Sequence, residues 1–177
     1  LLGKYNMKIG IEKINFFGGL ARLDVRTLAE ARGLDMQRFD NLLMKEKTVP
    51  LQFEDPITYA VNAAKPIIDE LTEEEKNKIE MVITATESSI DFGKSLSTYI
   101  HQHLGLNRNC RLFELKQACY SGMAAFQMAI NHILSQTSVD GKVLVIATDI
   151  ARFMVESAGD TLTEDWSFAE PSSGAGA

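Results

Sequence analysis

Two side chains, Cys119 and Glu87, carry most of the chemistry this sequence offers. Cys119 lies in Gln117-Ala118-Cys119-Tyr120-Ser121-Gly122, between a β-type run and an apolar helical stretch. Unpaired N–H groups at a helix start, with the helix dipole, stabilise an anion and so favour thiolate over thiol. The same donors can receive a carbonyl oxygen as it becomes an oxyanion. Ser121 and Gly122 are small, which lets a substrate come close to the backbone there. A cysteine beside a strand also fits a small buried hydrophobe, and spacing alone leaves both readings open.

Glu87 directly follows the apolar run Met81-Val82-Ile83-Thr84-Ala85. A carboxylate at a strand end is expected to face a ligand crevice, where partial desolvation raises its pKa and suits it to acid–base work. The alternative is a helix cap or a surface carboxylate. A thiol and a carboxylate from neighbouring strand ends, with no metal motif near them, point to covalent acyl chemistry coupled to proton transfer.

The other reactive types are less well placed. Cys110, between Asn109 and Arg111, has no helix start behind it and reads as core filler. The spacing of Cys110 and Cys119 suits neither a disulfide framework nor a zinc site. His101 and His103, two apart on one helix, face different ways and cannot form an i, i+4 metal pair. His132 lies deep in an apolar helix, and all three histidines read as structural. Phe17-Gly18-Gly19 is a turn signal and no phosphate loop, so no nucleotide cofactor is expected.

Elements that could position these groups are written along the chain. Asp24 caps a predicted helix from Val25 to Arg32 that Gly33 stops, and Asp35 caps a second carrying Met36, Phe39, Leu42 and Leu43. Asp55-Pro56 is an N-cap followed by proline at the first helical position, with Pro66 expected to kink or split that helix. Thr72 to Lys78 reads as a solvated turn or helix end. Met81–Ala85, Arg111–Leu115 and Lys142–Ala147 read as strands. Asp91 is expected to open a helix through Phe92, Leu96, Ile100 and Leu104 that ends at Gly105. Met123–Leu134 is so apolar that it is expected to be buried nearly all round. Strand and helix in alternation mean an α/β fold with a parallel sheet, whose ligands sit beyond the carboxyl ends of the strands. Those ends are Thr86-Glu87-Ser88, Gln117 to Gly122, and Thr148-Asp149. Glu170 to Ala177 reads by composition as a flexible tail, or as the start of another element.

Composition sets the outer limits. The 177 residues are 45% hydrophobic and 24% charged, the balance of an ordinary globular protein with its own core. The net charge of −6 is a poor match for nucleic acid or an anionic membrane surface. No apolar run approaches the length of a membrane span, and residues 1–6 lack the pattern of a signal peptide and read as an appended remnant ahead of Met7. Two unpaired cysteines suit a reducing cytoplasm.

Three ordered motifs at the strand ends go further. Ala85-Thr86-Glu87-Ser88, Glu114 to Tyr120, and Val145 to Arg152 together resemble the 3-hydroxy-3-methylglutaryl (HMG) synthases of the thiolase superfamily. The likeness runs from about Lys8 to Ala177. Asn41 to Lys47 and Asp91 to His101 look most like the branch that works in polyketide β-branching on acyl carrier proteins. The resemblance implies that residues 7–177 form the N-terminal αβα half of a thiolase-like domain, with Lys8–Ile11 a further strand and the sheet mainly parallel. It implies that Cys119 takes an acetyl group from a donor thioester, and that Glu87 deprotonates the acetyl methyl and later protonates the new alkoxide. Asp149 matches a supporting active-site carboxylate, and Phe153 falls where relatives often carry an aromatic hydroxyl, so Phe153 and Ser121 become expected substrate contacts. No cofactor is expected on the enzyme itself; the phosphopantetheine thioester would arrive on a donor carrier protein and on a β-ketoacyl acceptor carrier protein, or on coenzyme A. A homodimer fits the family. The family also uses a histidine from its second half that none of the three histidines here matches, so this chain alone is expected to be inactive. Arg22, Arg26, Arg32, Arg38, Lys45 and Lys47 could form a basic patch for an acidic carrier, although a solvated face is the simpler reading. The rival functions are a coenzyme A-dependent HMG synthase of isoprenoid synthesis and a non-catalytic thiolase-like domain that only binds carrier protein.

Overall fold

The computed structural model describes residues 9–31, 33, 35, 37, 45–135, 140–150 and 173–177. Strand β4 (Ile79–Ala85) is the spine, and nearly every one of its residues is buried because both faces are covered by helices. It pairs in parallel with β5 (Arg111–Leu115) on one side and β6 (Lys142–Asp149) on the other. Beyond β6 the sheet turns antiparallel, through β7 (Gly174–Gly176) to β1 (Phe16–Phe17). The order is β1-β7-β6-β4-β5, so a parallel three-stranded centre carries an antiparallel flank. A separate hairpin-like pair joins β2 (Ala21–Asp24) to β3 (Glu46–Val49).

One face of the sheet is covered by α2 (Pro56–Asp69) and α4 (Leu96–Leu104), which bring Ala60, Ala64, Ile68, Leu96 and Ile100 against Val82, Leu144 and Ile146. The other face takes α5 (Ser121–Leu134), through Ala125 and Ala129 on Met81, Ile83 and Ala85. Full burial of each large aliphatic side chain contributes about 1.5–3 kcal/mol, so this two-sided packing holds the strand ends in place.

The helix starts follow their caps. Asp55 accepts from the Thr58 N–H at 2.6 Å with Pro56 in the first turn, and Asp24 accepts from the Thr27 N–H at 2.7 Å ahead of α1 (Val25–Ala31). Gly33 and Gly105 follow α1 and α4 with φ of +66° and +62°, a region that favours glycine. The charged run forms α3 (Glu73–Asn77), closed by a reciprocal Thr72–Glu75 capping box and buried nowhere. Asp35 accepts from the Gln37 N–H, but the rest of that second predicted helix lies outside the described residues.

Several expectations are corrected. Helix α2 is not split at Pro66, which lies on its exposed face, where a carbonyl left without its helix partner is least costly. Asp91 does not open α4. It accepts from the N–H groups of Gly93 and Lys94 and from the Tyr99 hydroxyl, fixing a loop that leaves Phe92 fully exposed. Glu114 on β5 caps α4 instead, accepting from the Leu96 N–H at 2.6 Å, a contact that local sequence does not reveal. Helix α5 is not buried all round; Met123, Phe126, Ile130 and Leu134 form an exposed apolar stripe. Residues 9–11 form no strand, and Ile9 and Ile11 are exposed. The ladder instead starts at Asn15, which exchanges both backbone bonds with Ala177 at 2.8 Å. Glycines 174 and 176 thus belong to a strand, which decides against a flexible tail. No helix among the described residues is long and apolar enough to cross a membrane.

Candidate active site

Strand register brings the informative residues to one edge. Ala85 pairs with Leu115 on one side and Ala147 on the other, so β4 and β5 end at the same level while β6 runs on to Asp149 beside the segment that leaves β4. Adjacent strands are about 4.8 Å apart, which makes the segments after them immediate neighbours. Glu87 follows the central strand, the Cys119 turn follows β5, and Asp149 closes β6.

Cys119 is exposed at the start of α5. The turn before it is tight: Ala118 has φ of +44°, in the left-handed region that a side chain resists. The N–H groups of Tyr120 and Ser121 donate to the carbonyls of Gln117 and Ala118, both at 3.1 Å. They close the turn and are therefore not free to receive an oxyanion, which narrows the sequence expectation to other donors. Ser121 is buried at the first position of the helix.

Asp149 organises the neighbouring loop. Its Oδ1 accepts from the Glu87 N–H at 2.7 Å, the Ser88 N–H at 3.0 Å, the Ser88 hydroxyl at 2.7 Å and the Thr86 hydroxyl at 3.1 Å. The Thr86 N–H also donates to the Leu115 carbonyl at 3.1 Å, tying the loop to the strand that precedes Cys119. Three consecutive residues are thus clamped on one carboxylate oxygen with Glu87 in the middle. The Glu87 side chain itself is exposed. The desolvated crevice expected around it is therefore not formed by the described residues. Thr86 and Ser88 flank Glu87 in the sequence, yet their hydroxyls became informative only once Asp149 was placed beside them. Phe153 lies outside the described residues.

Cys110, His101 and His132, set aside as structural, have local partners or burial, while His103 is exposed on α4. Burial pushes the half-buried Cys110 thiol up to about 11, reinforced by the Glu80 carboxylate, so it stays protonated and unreactive at neutral pH. His101 Nε2 lies 2.8 Å from the Asn107 carbonyl, and His132 Nε2 lies 3.1 Å from Glu80 at the opposite end of β4 from Glu87. Lys47 is buried, and that burial lowers its pKa, so it cannot belong to a surface basic patch. Arg22 is exposed beside Glu46, and Arg32 and Arg38 lie outside the described residues. No cluster of metal-ligating side chains occurs among the described residues.

Comparison with known proteins bears on the family and the fold. No family model matches the chain. It is 69% identical over 168 residues to the polyketide biosynthesis 3-hydroxy-3-methylglutaryl-ACP synthase PksG of Bacillus subtilis, an alignment covering 95% of this chain and 40% of PksG. It is 41% identical to a hydroxymethylglutaryl-CoA synthase of Enterococcus faecalis, covering 97% of this chain and 41% of that protein. The solved HMG synthase of the curacin biosynthetic pathway, in complex with acetyl donor-ACP, superposes with a TM-score of 0.84 at 63% identity, over 94% of this chain and 39% of its own.

The chain belongs to the HMG synthase family.

It spans about two fifths of the length of the curated HMG synthases it matches. A solved HMG-CoA synthase complexed with CoA superposes with a TM-score of 0.80 at 38% identity, so the fold is shared across both branches of the family. Within that fold the Ala118 turn is a point of strain, and a left-handed non-glycine residue costs roughly 1–3 kcal/mol. Ala118→Gly is expected to stabilise the protein by up to about 1 kcal/mol, after the entropy that glycine adds to the unfolded chain. Ala118→Val is expected to destabilise it by at least about 2 kcal/mol, since a β-branched residue resists positive φ most. Urea unfolding of the three proteins checks the order.

Proposed function

We propose that the enzyme to which this chain belongs is a carbon–carbon bond-forming acyltransferase of polyketide β-branching. The observation that carries the reading is the common edge where an exposed Cys119, just ahead of α5, and a Glu87 held by Asp149 follow the paired strands β5 and β4. The Cys119 thiolate attacks the carbonyl of an acetyl thioester, forming the acetyl–Sγ bond and releasing the carrier's phosphopantetheine thiol. Glu87 then takes a proton from the acetyl methyl, and the resulting carbanion equivalent adds to the ketone carbon of a β-ketoacyl thioester. The same carboxyl returns its proton to the new alkoxide. Water cleaves the Sγ–acyl bond, leaving a carboxylate on the product and a free thiol on Cys119. Such chemistry needs a nucleophile and an acid–base group and no metal or redox centre. Ser121, Asp149 and Phe153 are assigned to support and substrate contact.

The carrier-protein form of the reaction is supported by PksG, named an HMG-ACP synthase, and by the curacin enzyme's complexes with donor-ACP. The Enterococcus relative, named for coenzyme A, favours the second reading, an HMG-CoA synthase. We assign two carrier-protein partners, one for the acetyl donor and one for the β-ketoacyl acceptor, a cytoplasmic setting, and a homodimer. Among the described residues β5 is the last strand of the sheet, and its outer edge would offer backbone groups to a second copy. Offering the full-length enzyme acetyl-carrier protein and acetyl-coenzyme A in parallel distinguishes the readings by intact mass. Carrier-dependent gain of an acetyl group on Cys119, at least about tenfold faster than from coenzyme A, is expected; a tenfold rate ratio corresponds to 1.4 kcal/mol. Faster loading from coenzyme A favours the second reading. Carrier binding with no adduct from either donor leaves a non-catalytic binding domain.

A further inference from the structure

We infer that Ser88 is a positioning residue for Glu87, its hydroxyl fastening the Glu87 loop to the end of β6. The inference rests on the acyltransfer reading above and adds to it a residue outside the nucleophile, the acid–base group and their supporting carboxylate. Ser88 Oγ donates to Asp149 Oδ1 at 2.7 Å and accepts from the Ile150 N–H at 3.1 Å. The Ile150 carbonyl lies within reach too, at 3.1 Å, but one hydroxyl proton prefers the closer, charged acceptor. The Ser88 N–H donates to the same Asp149 oxygen at 3.0 Å and to the Thr86 hydroxyl at 3.0 Å.

The three clamped residues are not equivalent. Thr86 reaches Asp149 through its hydroxyl and β5 through its backbone, and Glu87 contributes a backbone N–H alone. Ser88 bonds both the Asp149 carboxylate and the backbone of the next residue, Ile150. Without that hydroxyl, Asp149 can still accept backbone N–H groups, but the loop loses its tie to the chain leaving β6. Among the described residues the Glu87 side chain is exposed, so its carboxylate is located chiefly by its backbone. A carboxylate that must reach a methyl proton on one carbon and an alkoxide on another tolerates little drift, and a displacement of about 1 Å can cost about 100-fold. Attack by Cys119 on the donor does not use Glu87, so it is indifferent to the fastening.

Ser88→Ala and Ser88→Thr in the full-length enzyme test this, with acetyl loading and condensation measured separately. Expected for Ser88→Ala is loading within about twofold of wild type, with condensation and exchange of the acetyl methyl protons into deuterated water both lowered about 10- to 100-fold. Ser88→Thr, which keeps the hydroxyl, should restore both to within about threefold. Condensation by Ser88→Ala within twofold of wild type overturns the inference, as does a threonine variant as defective as alanine. Loading and condensation falling together would make Ser88 a general structural residue and also overturn it. Failure of the wild-type enzyme to load acetyl would instead overturn the acyltransfer reading, and the role of Ser88 with it.

Discussion

Cys119→Ser is expected to leave the protein folded, to carry no acetyl group after incubation with donor thioester, and to lose at least about 10⁴-fold in turnover. The size of the effect follows from the nucleophile. A thiol forms a useful fraction of anion near neutral pH and is intrinsically reactive, whereas a serine hydroxyl needs a partner base to give up its proton. No histidine among the described residues stands near position 119 to serve as that base: His101 is engaged with Asn107, His132 with Glu80, and His103 belongs to α4. Folding should survive because Cys119 is exposed, and surface substitutions usually stay within about 0.5 kcal/mol. Intact mass after donor incubation reads the first outcome and a thermal melt the second. An acetylated serine variant at wild-type rate would remove Cys119 from the mechanism. Cys110 is the internal control, since burial holds it protonated, and Cys110→Ser should still load.

The residues legible from sequence were those whose placement depends on near neighbours. Asp55-Pro56 announces α2, Gly105 ends α4, and the three β-type runs map onto β4, β5 and β6 because short apolar runs of that length suit strands, though only β4 is covered almost throughout. What was not legible depends on partners far along the chain. Asp91 looks like a helix cap because the sequence cannot show Glu114 arriving from β5 to cap Leu96. The stripe Met123, Phe126, Ile130 and Leu134 looks like core because apolar character says nothing about which face finds a cover. The site divides the same way. Cys119 and Glu87 can be picked out by the strand ends they follow, whereas the clamp on Asp149 joins residues some sixty positions apart and exists only in the parallel pairing of β4 with β6. Gly174 and Gly176 illustrate the converse: a composition typical of loose chain became a strand because β6 and β1 offered it backbone partners on both sides.

Glu87→Gln is expected to separate the two halves of the reaction. The amide matches the carboxylate in size and keeps the backbone N–H that donates to Asp149, so the loop geometry should persist. Acetyl loading should stay within about threefold of wild type, because the first step needs the thiolate and the donor carbonyl and no proton from Glu87. Condensation should fall about 10²- to 10⁴-fold, the usual contribution of a positioned acid–base group, since an amide can neither accept the methyl proton nor return one to the alkoxide. The variant should therefore accumulate as acetyl-enzyme, visible by intact mass, with its acetyl methyl protons no longer exchanging into deuterated water. Glu87→Asp makes the complementary change: the acid is kept but drawn back by one methylene, and a loss of roughly 100-fold is expected from distance alone. A pair in which glutamine condenses as well as aspartate would mean that position 87 supplies shape and no proton. The acid–base role would then have to pass to a carboxyl or histidine outside the described residues, because Asp149, the nearest alternative, already has Oδ1 engaged by four donors.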